Sequence, residues 1–294
     1  MRKVLKWVAY TVGGLVVLLL VAGAALYVIG GSKMGQTHEV QATALPIPTD
    51  SASVARGEHL VLTNGCRLCH GPQLAGQVMI DAPPFRVVAS NLTRGRNGIG
   101  STYTDADWER VIRHGIKPDG RPVVIMPAAG YHHLADEDAA ALIAYLKTIP
   151  PVDNDTLGAT QFRAMGRILV GAGQFDPAFE VRTGRSPASR PPAGPTAEYG
   201  RYLASVPCAY CHGENLKGAQ PPEPGAPFAP ALSAASAWPL DAFRTFLRTG
   251  TRPDGSRVNA QFMPIEMTRH YTDEEVAALH AYLNSVNWSA STDS

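Results

Sequence analysis

Two short strings, Cys66-Arg67-Leu68-Cys69-His70 and Cys208-Ala209-Tyr210-Cys211-His212, contain every cysteine of this chain. Each reads C-x-x-C-H, the spacing at which a c-type haem is attached. Two thiols three residues apart on one turn can each add to a haem vinyl group, and the next residue then presents its imidazole to the iron from the same side. The pattern predicts two covalently bound haem c groups, held through Cys66, Cys69, Cys208 and Cys211, with His70 and His212 as proximal ligands. Other uses of four cysteines fit less well. A zinc site of all four leaves both adjacent histidines to chance. A thioredoxin-like pair requires a βαβ pattern that is missing, and a C-x-x-C loop is a poor disulfide staple.

A haem in each half predicts a repeat, and the chain repeats. RGEHLVLTNGCRLCHGPQLAG matches YGRYLASVPCAYCHGENLKGA, and further on RHGIKPDGRPVVIMP matches RTGTRPDGSRVNAQFMP. Met126-Pro127 pairs with Met263-Pro264, each Met ten residues before an aligned aspartate, Asp136 or Asp273. Those aspartates open helices. Thr272 and Glu275 have capping-box spacing, and Val276, Leu279 and Leu283 fall on one face, as do Ala139, Leu142 and Leu146. Thr104 caps an earlier helix carrying Trp108, Val111 and Ile112; its counterpart carries Leu240, Phe243, Phe246 and Leu247. A third helix precedes each C-x-x-C-H.

On these residues each half resembles a class I cytochrome c domain. Together they are similar to the cytochrome c subunits of bacterial membrane-bound dehydrogenases, over roughly residues 53–288. SNLTRGRNGIGSTYTDADWERVIRHGIKPDGRP, followed by a Met-Pro loop and LADEDAAALIAYLKTIPPV, carries the likeness in the first half. The resemblance implies an all-α fold of two tandem class I domains, and a methionine thioether as sixth ligand, which falls on Met126 and Met263. Repetition at a fixed offset favours the same two residues. His133 and His270 also align and are the rival ligands, with His132, His114 and His59 nearby. The resemblance also suggests that a proline-rich loop supplies a backbone carbonyl to each proximal imidazole, with Pro83, Pro84 and Pro227 as candidates.

The N-terminus stands apart. Arg2, Lys3 and Lys6 precede an uncharged apolar run from Trp7 to Ile29. As a helix this run is about 35 Å long, enough to cross a bilayer core of about 30 Å. The cations place residues 1–6 in the cytoplasm and the haem domains on the periplasmic side of a bacterial inner membrane, in single-pass topology. A cleaved signal peptide is the alternative, but its apolar region would be shorter. The expected organisation is a transmembrane anchor over 7–29, a flexible tether over 30–52 and a first cytochrome domain over 53–152. A connector over 153–195 follows, with a helix near Phe162 to Val170, then a second domain over 196–288 and a tail over 289–294.

Net charge is +1 over 294 residues, without the basic stripe of a nucleic-acid binder. An iron ligated on both faces has no open position for substrate, so the chain reads as an electron carrier and not an enzyme. Its expected partners are a redox donor and acceptor (a dehydrogenase, an oxidase or a soluble cytochrome) and the membrane. A dihaem cytochrome c peroxidase is the alternative, and it needs one haem with a displaceable distal ligand.

Overall fold

The computed structural model describes residues 1–221 and 225–289; residues 290–294 of the expected tail lie outside them. Helix α1 (Arg2–Met34) leads. The first half holds α2 (Ser51–Thr63), α3 (Cys66–His70), strands β1 (Gln77–Asp81) and β2 (Phe85–Ala89), then α4 (Asp105–His114), α5 (Ala128–Tyr131) and α6 (Asp136–Thr148). The connector contributes β3 (Gln161–Phe162) and α7 (Ala164–Gly171). The second half holds α8 (Ala197–Ser205), α9 (Pro207–His212), α10 (Ser233–Ser236), α11 (Leu240–Thr249), α12 (Ile265–Thr268) and α13 (Asp273–Ser285).

The helices begin where local chemistry starts them. Thr104 and Asp107 form a capping box on α4, and Thr272 and Glu275 form one on α13. Each satisfies amide donors that the first turn leaves unpaired. The apolar faces then bury Trp108, Val111 and Ile112 on α4, Leu142 and Leu146 on α6, and Val276, Leu279 and Leu283 on α13. In each half the first helix crosses the last at a glycine. A Cβ on Gly57 would lie 2.0 Å from the carbonyl oxygen of Ala141, and one on Gly200 would lie 1.9 Å from that of Ala278. Two cores result, one around Leu60, Trp108 and Ile143, the other around Tyr199, Phe243 and Leu279.

Two expectations need correction. The fold is largely helical but not all-α: β1, β2 and β3 form a three-stranded antiparallel sheet with a bulge between Val78 and Ile80. Val78, Ile80, Val87 and Val88 are β-branched and flank a Pro83-Pro84 turn, which suits a hairpin. The matching stretch of the second half is rich in proline and glycine and keeps an isolated bridge, Ala219 with Ala229. Secondly, residues 30–52 are not a free tether. Helix α1 runs on to Met34, the amide of His38 donates to the Gly120 carbonyl at 2.8 Å, and Leu45 and Ile47 pack on the first core. Apolar residues spaced through that segment give it something to bury. The helix expected near Phe162 to Val170 is α7, and it packs on α1 and on the first half. A Cβ on Gly30 would lie 1.8 Å from the Arg167 carbonyl, one on Gly171 would lie 2.0 Å from that of Leu26, and one on Gly166 would lie 2.3 Å from that of Pro84. The Arg167 guanidinium sits over the Tyr27 ring, 5.1 Å from its centroid.

Candidate haem-attachment sites

Each Cys-x-x-Cys-His string forms one short helix, α3 or α9, and the backbone after it folds the same way twice. The amide of Gly76 donates to the His70 carbonyl at 2.8 Å, and that of Gly218 to the His212 carbonyl at 2.9 Å. Leu74 and Leu216 take left-handed φ values of 57° and 58°. That conformation costs a leucine about 1–2 kcal/mol. Burial to 1% exposure offsets it, since a fully buried leucine gains about 1.5–3 kcal/mol. The Leu74 carbonyl then accepts from Leu92 and that of Leu216 from Leu232, which turns the chain back beneath the histidine.

That return supplies the anchor for the imidazole. His70 Nδ1 lies 2.7 Å from the Ser90 carbonyl oxygen, and His212 Nδ1 lies 2.7 Å from that of Pro230. Pro83, Pro84 and Pro227 do not have this role. A carbonyl acceptor fixes Nδ1 as the protonated nitrogen and leaves Nε2 as the lone-pair donor. Burial lowers the pKa of both histidines, with the carbonyl contact opposing it. Both are therefore neutral, the form that binds metal. The sequence hint that was missed is the repeated leucine two residues beyond each carbonyl, Leu92 and Leu232.

All four cysteines are partly buried. Burial pushes the thiols of Cys66 and Cys208 up to about 12, so unmodified they stay protonated. Among the described residues no three His, Cys, Asp or Glu side chains gather into a metal cluster, and the zinc alternative finds no geometry. Met126 packs against the first core, as Cys66 does. Met263 is half-buried just before α12, and among the described residues it is not one of those packed on the second core, which Cys208 borders. Of the rival histidines, His59 contacts Glu275, His114 the Arg182 carbonyl and His132 the Arg113 carbonyl. His133 stands edge-on to His132, and His270 lies 3.9 Å from Glu266. Two thiols on one turn, followed by a neutral imidazole whose Nδ1 is held by a backbone carbonyl, form a donor set that fits a haem attached at each string.

The two sites meet across a contact between the halves. Asp138, third residue of α6, accepts from Arg56 of its own half and from the Tyr202 hydroxyl of the other, at 2.8 Å. Glu275, third residue of α13, meets the Tyr199 hydroxyl of its own half and His59 of the other, at 2.8 Å. Arg56 reaches both carboxylates. The loop beyond each methionine also touches the motif region of the other half. A Cβ on Gly130 would lie 2.6 Å from the Val206 carbonyl, and one on Gly65 would lie 2.7 Å from Met267 Sδ.

Comparison with known proteins agrees with this geometry. A family model described as cytochrome c matches residues 197–287. One described as cytochrome c oxidase, cbb3-type, subunit III matches residues 52–146. The chain is 35% identical over 116 residues to the fructose dehydrogenase cytochrome subunit of Gluconobacter japonicus, covering 37% of this chain and 24% of that one. It is 27% identical over 299 residues to the cytochrome c subunit of a quinone alcohol dehydrogenase of Gluconacetobacter polyoxogenes, covering 90% and 60%. It is 27% identical over 295 residues to a dihaem c-type cytochrome of Cereibacter sphaeroides, covering 91% and 97%. The chain thus spans less than two thirds of these dehydrogenase subunits. Each matched span contains one Cys-x-x-Cys-His string, so the chain carries two covalently bound haem c groups.

Proposed function

We propose that this chain, built on two cytochrome c-type haem domains, is a membrane-anchored relay that passes single electrons from a dehydrogenase to an oxidase or a soluble cytochrome. It is an electron-transfer protein and not an enzyme. The observation that carries the reading is the duplicated anchor: one imidazole in each half, its Nδ1 fixed by a backbone carbonyl, with the two halves in direct contact. Bound haem supplies a one-electron Fe(III)/Fe(II) couple. Cys66 and Cys69, and Cys208 and Cys211, hold one group each, and His70 and His212 present Nε2 to it. Met126 and Met263 would each supply a thioether to the iron, which would raise the potential relative to bis-histidine ligation and leave no position for a substrate.

The domains run in tandem over 53–152 and 196–288, joined by the connector 153–195. The apolar stretch 7–29 of α1 anchors them to a bacterial inner membrane. Among the described residues α1 alone is long and apolar enough to span a bilayer. Arg2, Lys3 and Lys6 at its start favour periplasmic haem domains. The dehydrogenase donor is supported by the names of the relatives above. None of those is named a peroxidase, and the same Met-Pro element stands in both halves, so the peroxidase alternative gains no support.

Two measurements test this. Denaturing mass spectrometry of the mature protein is expected to show the polypeptide plus two haems. A mass equal to the amino acids alone rejects the reading. A spectroscopic redox titration is expected to show two one-electron steps with sulfur–iron ligation. Met126→Ala and Met263→Ala should each remove that ligation signature from one haem only. Loss in neither variant moves the sixth ligand to another residue.

A further inference from the structure

The connector buries a carboxylate that the electron-relay reading does not use. Glu180 belongs to neither cytochrome domain and is 0% exposed. Its Oε2 accepts from the backbone amide of Ala129 at 2.9 Å, three residues beyond Met126. Its Oε1 accepts from the hydroxyl of Tyr210, inside the second Cys-x-x-Cys-His string. Both oxygens thus have a hydrogen-bond partner. Nearby in the first half, the buried Tyr131 hydroxyl donates to the Asn64 carbonyl at 2.8 Å. One buried carboxyl group is therefore placed between the loop after Met126 in the first site and the motif helix of the second.

We propose that Glu180 is a potential-setting residue shared by the two haems, lowering both midpoint potentials through its charge. The inference rests on the dihaem reading above. A ferric haem carries one more positive charge than a ferrous one, so a nearby anion favours the oxidised state. Away from water that attraction is screened far less than at the surface. Net charge and burial around an iron centre are among the protein's means of tuning its potential. Because the connector runs between the halves, one side chain acts on both centres in the same direction.

The test is a spectroelectrochemical titration of the full-length dihaem protein. Glu180→Gln keeps the side-chain volume and removes the charge; both potentials are expected to rise while the ligation spectra stay unchanged. Glu180→Asp keeps the charge and should stay near the parent values. Tyr210→Phe keeps the charge but removes a donor that screens it, and should lower the second haem's potential. These last two variants decide the matter if Glu180→Gln does not accumulate as folded protein. Potentials that stay put in Glu180→Gln, a shift at one haem only, an Asp variant that moves as far as Gln, or a rise in Tyr210→Phe overturns the proposal. Failure of the dihaem reading itself is distinguishable, because the parent protein would then lack two redox steps.

Discussion

Glu275 has two duties. Its carboxylate closes the capping box of α13 by accepting from the Thr272 amide at 2.9 Å, and it receives Arg56 and His59 from the other half. Burial pushes its pKa up, but His59, the Thr272 amide and Arg56 outweigh that and hold it below its ordinary value of 4.5. A carboxylate with a depressed folded pKa stabilises the protein fully above the unfolded value and loses that contribution as pH falls through the folded one. Glu275→Gln is therefore expected to cost about 1–3 kcal/mol near neutral pH and to weaken the acid dependence below 4.5. Denaturant unfolding at several pH values measures both. Capping by Glu275 was legible from Thr272 three residues before it. Its partnership with His59 was not, because 216 residues separate them and no local pattern spans that distance. The four cysteines, His70 and His212 were readable because they are adjacent in the chain. The Ser90 and Pro230 carbonyls were missed, since a backbone acceptor has no side chain of its own to mark it and only the repeated Leu92 and Leu232 point to it.

At the scale of elements, the glycine crossings decide how closely α2 approaches α6 and α8 approaches α13. Gly57→Val or Gly200→Val forces each pair apart, at a cost of about 1–3 kcal/mol or more from overpacking. Each should lower the thermal stability of the protein, whereas Gly31→Ala, with its nearest neighbour 3.8 Å away, should leave it unchanged. Helices α4 and α13 were predictable because cap and apolar face agree on each, whereas α6 and α11, which have no side-chain cap, were predictable from their apolar faces. The hairpin of β1 and β2 was not. The helical repeat drew the two halves as equals, and the β-branched stretch before Ser90 has a proline- and glycine-rich counterpart in the second half.

For the whole molecule, helix α7 clamps the second half's lead-in to α1, so the haem domains do not swing freely on the proposed anchor. Gly171→Leu drives a large side chain into the Leu26 carbonyl and should detach α7. The expected result is faster amide exchange over 164–171 in membrane-embedded protein, with haem spectra unchanged; equal exchange rates would show that the clamp does not depend on this contact. Sequence reading placed a helix near this segment but could not find its partner, because α1 and α7 lie about 140 residues apart. The contact between the halves has a consequence of its own. Asp138 with Tyr202 and Glu275 with His59 are the reciprocal pairings that two separate monomers would make on dimerising. Joining them in one polypeptide replaces a bimolecular association by an intramolecular one, with an effective concentration on the order of millimolar or above. Such a union persists at any dilution, so its surface can stay small and polar where a free dimer would require a broad apolar seal.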